Sequence, residues 1–172
     1  MLPQLAQRIE LLLSDVDGVL TDGGVIFDNQ GVESKRFHIR DGLGIKLWQQ
    51  AGHRFGLVTG RASQVVRIRA TELGIDLVRQ GVDDKLTMVQ QLLSELGLRP
   101  EQVAYIGDDL PDLPVLKIVG LPIAPADACR EVRAAAQLIT QLSGGHGALR
   151  EAIEAMLQAQ GRWEFLIRKY GG

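Results

Sequence analysis

Asp15 and Asp17 stand one residue apart at the end of an apolar run, Leu11-Leu12-Leu13-Ser14, and lead into Gly18-Val19-Leu20-Thr21-Asp22. Side chains alternate along a strand, so both carboxylates leave the sheet edge on the same side and face one pocket. Two carboxylates brought that close repel each other and persist only where a cation or a shared proton offsets the repulsion. Mg2+, a hard cation that prefers oxygen ligands, does this. The pair reads as the nucleophile site of phosphoryl transfer. An isolated Asp-x-Asp is otherwise a turn or capping pair, so the remaining polar residues decide between the two.

In open α/β sheets ligands sit at the C-terminal ends of the strands, and the other polar clusters of this chain fall at such ends. Thr59-Gly60-Arg61 follows an apolar run, Lys85 opens a helix, and Asp108, Asp109 and Asp112 follow Val103 to Gly107. Taken singly these are a turn, a solvated lysine and a helix cap; their joint occurrence in this order points to one site. Residue type divides the work. Asp15 is the carboxylate nucleophile that forms an aspartyl phosphate, and Asp17 is the acid for the leaving alkoxide and then the base for water. The expected metal set is Asp15, Asp17 and Asp108, holding Mg2+ and shielding the nucleophile from phosphate charge. Thr59 and Gly60 offer hydrogen bonds to phosphoryl oxygens, and Lys85 adds a point charge. Asp109 or Asp112 orients Lys85 or a metal-bound water from behind. No Gly-x-x-x-x-Gly-Lys-Ser/Thr loop occurs, which removes nucleotide-driven mechanisms.

The elements that must carry these residues alternate between strand-like and helix-like segments, the pattern of a parallel sheet covered by helices on both faces. Strands are expected at Leu11 to Asp15, Arg54 to Thr59, Asp76 to Arg79, Val103 to Gly107, Leu121 to Ala124 and Gln137 to Thr140. Helices are expected at Gly44 to Ala51, Ala62 to Leu73 (with Val65, Ile68 and Leu73 on one face), Asp84 to Leu96, Asp127 to Ala136 and Ala148 to about Gln160. Val25 to Asp28 and Val32 to Ile39 flank Asn29-Gln30-Gly31 and read as an inserted β-hairpin over about residues 23–40. The tail, about 161–172, is short and mixed, with Trp163, Phe165 and Tyr170 expected to pack on the body.

At 172 residues, 45% hydrophobic and 23% charged, the chain suits one domain, 1–172, with an apolar core. A formal net charge of −2 leaves no basic surplus for nucleic acid or an anionic membrane. The expected partners are a small molecule and copies of the chain itself. The single cysteine, Cys129, fits a reducing compartment, and no leader segment is recognised, so the cytoplasm is the expected location. His38, His53 and His146 have no metal-site spacing.

With these residues in place, the sequence resembles the haloacid dehalogenase superfamily of phosphatases. Asp15-Val16-Asp17-Gly18-Val19-Leu20-Thr21-Asp22 is similar to its first motif, Val58-Thr59-Gly60-Arg61 to the second, Lys85 to the third and Gly107-Asp108-Asp109-Leu110-Pro111-Asp112 to the fourth. Arg40-Asp41-Gly42-x-Gly44-Ile45, Gln80-Gly81, Ala104-Tyr105-Ile106 and Gly144-Gly145-x-Gly147-Ala148-x-Arg150-Glu151 are similar to signatures of its capless branch that hydrolyses 3-deoxy-D-manno-octulosonate 8-phosphate. The resemblance runs from about Ile9 to Gln160. It implies a Rossmann-like fold without a cap domain, Mg2+ dependence, a role in lipopolysaccharide precursor synthesis, and a homotetramer whose hairpins close neighbouring sites. Arg61 is then the residue for the sugar acid's carboxylate, with a surface ion pair as its alternative. Arg40 and Asp41, read at the end of the hairpin, either reach a neighbour's substrate or merely end a strand. Three alternatives stay open: a phosphatase for a nine-carbon relative, a phospho-accepting receiver domain, and a catalytically idle assembly module.

Overall fold

The computed structural model describes residues 2–171. The elements follow in order: α1 (Leu2–Ala6), β1 (Leu11–Ser14), β2 (Ile26–Phe27), β3 (Glu33–Ser34), α2 (Ile39–Gln50), β4 (Arg54–Thr59), α3 (Gln64–Leu73) and β5 (Leu77–Gln80). They continue with α4 (Lys85–Leu96), β6 (Val103–Ile106), α5 (Leu113–Leu116), β7 (Leu121–Ala124), α6 (Arg130–Ala135), β8 (Leu138–Ile139), α7 (Ala148–Ala159) and α8 (Trp163–Ile167). Six strands form one parallel sheet in the order β5-β4-β1-β6-β7-β8. β1 is buried along its whole length, as a central strand covered on both faces must be.

The period of two in β1 sorts its leucines between two cores. Leu12 joins Trp48, Phe55, Ile106 and Met156 under α2, α3 and α7, while Leu11 and Leu13 join Val58, Val89, Leu93 and Tyr105 under α4, α5 and α6. α7 buries Leu149, Ala152, Ile153, Met156 and Leu157, an apolar stripe at the spacing of one helical face. Ser63 and Asp84 cap α3 and α4 at their starts, and Gly74 and Gly97 end those helices in the left-handed conformation.

Several elements differ from the sequence expectation. The hairpin pairs only two residues on each side, in a sheet of its own, and the chain after Ser34 runs unpaired into α2. α2 starts at Ile39, five residues before the expected Gly44, with His38 as its cap, so Arg40 and Asp41 lie in its first turn and not in the hairpin. Gly42 and Gly44, which weaken a helix on propensity alone, are accommodated because neighbours crowd them. A Cβ on Gly42 would fall 2.4 Å from Nη2 of Arg69, and one on Gly44 would fall 3.0 Å from Cδ of Arg150 on α7. In α3 the buried face is Val66, Ala70 and Leu73, and Ile68 points outward. α6 starts at Arg130, three residues later than expected, because Asp127 instead accepts a hydrogen bond from the Gly144 N–H at 2.9 Å. The tail folds as α8 and a 3-10 turn. Trp163 packs on the body beneath the Arg150 guanidinium, but Phe165 and Tyr170 are exposed, against expectation.

The loop at 143–147 fastens the C-terminal third of the chain to the segment after β1. The Gly145 N–H donates to the Val19 carbonyl at 2.8 Å. A Cβ on Gly144 would fall 1.8 Å from the carbonyl oxygen of Gly18, a backbone atom that has no rotamer with which to yield. Gly144→Ala is therefore expected to cost about 2 kcal/mol or more, the range of core overpacking. Urea denaturation measures it, and an unchanged midpoint contradicts the close approach.

Candidate active site

The register of the central strands aligns Ser14 with Leu57 and Ile106. The residues that follow β1, β4 and β6 therefore emerge on one rim, where α4 begins beside them. One cavity of about 470 Å³ opens there, bordered by Asp15, Asp17, Thr59, Arg61, Lys85 and Asp108, with Gly60 and Asp109 also on its wall. The sequence-derived residues thus converge, apart from Asp112, which lies buried just beneath, and Arg40 and Asp41, which lie elsewhere.

Beneath the cavity a buried cation organises the acids. The Lys85 ammonium donates to Oδ2 of Asp15 at 2.6 Å and to Oδ1 of Asp112 at 2.7 Å. Asp112 also accepts from the Tyr105 hydroxyl at 2.6 Å and from the backbone N–H groups of Asp108 and Asp109 at 3.1 and 3.3 Å. Its role is thus to hold Lys85 and the loop after β6. Asp109 accepts from the Leu110 N–H at 2.8 Å at the start of a 3-10 turn. Oδ1 of Asp15 accepts from the Val16 N–H at 2.6 Å.

The acids outnumber the cation, and burial together with their mutual repulsion alters their protonation. Burial, then the charge of Asp112, pushes the Asp15 carboxyl up to about 6 despite Lys85. Burial, then Asp15 and Asp112, pushes Asp108 up to about 7. For Lys85, burial opposes the charged form, but Asp15 and Asp112 outweigh it and raise the ammonium above its ordinary value.

These residues fit a divalent cation. Carboxylate oxygens of Asp15, Asp108 and Asp112 lie within 4.8 Å of one another. Among the described residues Oδ1 of Asp108 is buried without a hydrogen-bond partner, a state that costs free energy unless a cation is present. Gly18, at φ +85°, leaves the space that Asp108 fills; a Cβ there would fall 2.0 Å from its Oδ2. The side chain of Asp17 does not belong to this cluster, against expectation. Its carboxylate turns to Lys35, with which it is paired, and to Nε of Arg61 at 3.8 Å.

One further expectation is corrected. Asp41 is fully buried, and its Oδ1 accepts from the Arg150 N–H at 2.8 Å at the start of α7, so its carboxylate reaches no substrate. Arg40 is exposed in the first turn of α2, outside the chain's own site, where it borders a separate cavity with Leu43, Arg150 and Glu154. The sequence reading missed Lys35, Glu33 and Tyr105. The Glu33-x-Lys35 alternation was the available signal for the first two, while Tyr105 sits in an apolar strand and looks like core.

Comparison with known proteins places this arrangement. A model of the haloacid dehalogenase-like hydrolases matches residues 64–151. The 3-deoxy-D-manno-octulosonate 8-phosphate phosphatase KdsC of Yersinia pestis is 45% identical over 161 residues, covering 94% of this chain and 86% of that protein. Its namesake from Escherichia coli K12 is 43% identical over 157 residues, with 91% and 84% covered. Among solved structures, the Moraxella catarrhalis phosphatase of the same name, in complex with magnesium, phosphate and a KDO molecule, superposes with a TM-score of 0.96. It is 42% identical, with 98% of this chain and 97% of that chain covered.

The raised carboxyls give a pH-dependent expectation. Without a cation, Asp108 and then Asp15 take up protons as pH falls through about 7 and about 6, and a cation must then displace those protons to bind. The rise in melting temperature caused by Mg2+ is expected to shrink as pH is lowered from about 8 to about 5.5. Asp108→Asn is expected to abolish that rise at any pH, and calorimetric scans with and without Mg2+ check both.

Proposed function

The chain belongs to the haloacid dehalogenase-like hydrolases, in the family of 3-deoxy-D-manno-octulosonate 8-phosphate phosphatases, and on that premise we propose that it hydrolyses this sugar-acid phosphate with Mg2+, within lipopolysaccharide precursor synthesis. The observation that carries the reading is the buried Asp15–Lys85–Asp112 chain beside the unpartnered oxygen of Asp108. The whole chain is read as one catalytic unit.

Asp15 attacks phosphorus, forming a P–O bond to its carboxylate as the bond to the sugar oxygen breaks. Its fixed aim is supported by its hydrogen bonds to Lys85 and the Val16 N–H. Asp17 gives its proton to the departing alkoxide. In the second step it takes a proton from the water that attacks phosphorus, and the bond to Asp15 breaks to release phosphate. Asp15 and Asp108 would hold Mg2+, which screens the phosphoryl charge from the nucleophile when bound. Thr59, buried against the cavity, and Gly60 are read as donors to phosphoryl oxygens. Arg61, partly exposed at the cavity mouth, is read as the partner of the substrate carboxylate; its planar fork suits that group.

A homotetramer is part of the same reading. Val25, Ile26, Phe27 and Val32 are each more than half exposed on the hairpin, an apolar patch that a second copy would cover. The lone Cys129 suits a reducing compartment, which supports a cytoplasmic location.

Asp15→Asn is expected to abolish phosphate release from the sugar-acid phosphate while the melting temperature stays near that of the wild type. Turnover close to wild type would remove Asp15 from its role. Across a panel of sugar phosphates the eight-carbon ulosonate is expected to have the highest kcat/KM; equal values for the nine-carbon acid would withdraw the narrower substrate. Phe27→Glu is expected to shift the mass seen by light scattering toward the single chain and to lower activity with it.

A further inference from the structure

The hairpin carries one group that the proposed reaction does not yet use. Glu33 and Lys35 stand two residues apart and pair with Arg61 and Asp17 of the cavity wall, while the apolar residues of β2 and the turn are exposed. The Lys35 side chain is only 1% exposed, and its ammonium is paired with Oδ1 of Asp17 and lies 3.4 Å from Oε1 of Glu33. Glu33 in turn accepts from Arg61 at 3.1 Å and from the Ser63 hydroxyl. A buried ammonium is costly unless paired, so this placement is not that of a solvated surface lysine.

The partners of Asp17 sharpen the point. Asp15 and Asp112 are each held by backbone N–H groups as well as by Lys85. Among the described residues no backbone N–H donates to the Asp17 carboxylate; its charged partners are Lys35 and, at 3.8 Å, Arg61. The direction of that carboxylate is therefore set by the hairpin.

We propose that Lys35 is a positioning residue: brought by the hairpin against Asp17 at the cavity wall and steadied by Glu33, it aims the Asp17 carboxylate at the leaving-group oxygen. This rests on the reading of Asp17 as the proton carrier. Binding of substrate and the identity of the nucleophile do not depend on it.

The test uses leaving groups that differ in their need for a proton. The sugar alkoxide of 3-deoxy-D-manno-octulosonate 8-phosphate requires protonation, whereas p-nitrophenolate departs without it. With enzyme in excess, single-turnover release of p-nitrophenolate from p-nitrophenyl phosphate reports attack by Asp15 alone. Lys35→Met is expected to lower single-turnover cleavage of the sugar-acid phosphate about 100-fold and p-nitrophenolate release less than about 5-fold, in keeping with the loss of an acid catalyst. Lys35→Arg, which keeps a cation, is expected to recover much of the loss. Lys35→Met combined with Asp17→Asn is expected to be no slower on the sugar ester than Asp17→Asn alone, because the two act through one group. Equal losses on both esters, or additive losses in the double variant, overturn the proposal and leave Lys35 a tether of the hairpin. If Asp17→Asn itself fails to separate the two esters, the reading of Asp17 fails and the inference falls with it. If Asp17→Asn separates them and Lys35→Met does not, only the inference is lost.

Discussion

The buried ammonium of Lys85 sits between two buried carboxylates, and the cavity takes its form from that contact. Ions leave water only when partners replace the hydration they lose, and each group here is held by several. Asp112 is bound by Lys85, by the Tyr105 hydroxyl and by two backbone N–H groups, and Gly107 is required beside it because a Cβ there would fall 2.4 Å from the Asp112 Cγ. The arrangement still carries three acids, Asp15, Asp108 and Asp112, against one cation, a surplus of two negative charges. Burial first, and that surplus second, raises the carboxyls of Asp15 and Asp108, and a doubly charged ion cancels the surplus.

The body and the hairpin are held by different forces. The sheet is fixed by apolar packing on both faces, with β1 at its centre. The hairpin buries no apolar side chain of β2 and is pinned to the body through ion pairs: Lys35 with Asp17, Arg61 with Glu33, and Arg36 with Asp22 at 2.6 Å. Exposed pairs of this kind contribute little and weaken with salt; the Lys35 pair is buried, so removing either partner would strand an unpaired charge. The element that supplies the charged partner of Asp17 at the cavity wall is thus held little by the chain's own core.

Much of this was legible from residue order because strand ends and side-chain period are local properties. Asp15, Thr59 and Asp108 each follow an apolar run, and a parallel sheet brings such ends to one rim. What escaped depended on contacts between distant segments. The helix expected from Gly44 begins at Ile39, and the tight approach of Arg69 and Arg150 to Gly42 and Gly44, invisible in the sequence, accounts for glycine inside its first turns. Asp41 looked like a polar residue at a strand end, yet it caps α7, far along the chain. Asp17 shares its spacing with Asp15, and spacing could not reveal that Lys35 draws its carboxylate away from the metal cluster.

The loop of Gly144 and Gly145 lies on the backbone of Gly18 to Asp22, so the segment made first is completed by one made near the end. A chain still emerging from the ribosome can form β1, β4 and β6 and yet leave the turn after Asp17 without its buttress. That buttress arrives late in synthesis, after the glycine loop has cleared the exit tunnel.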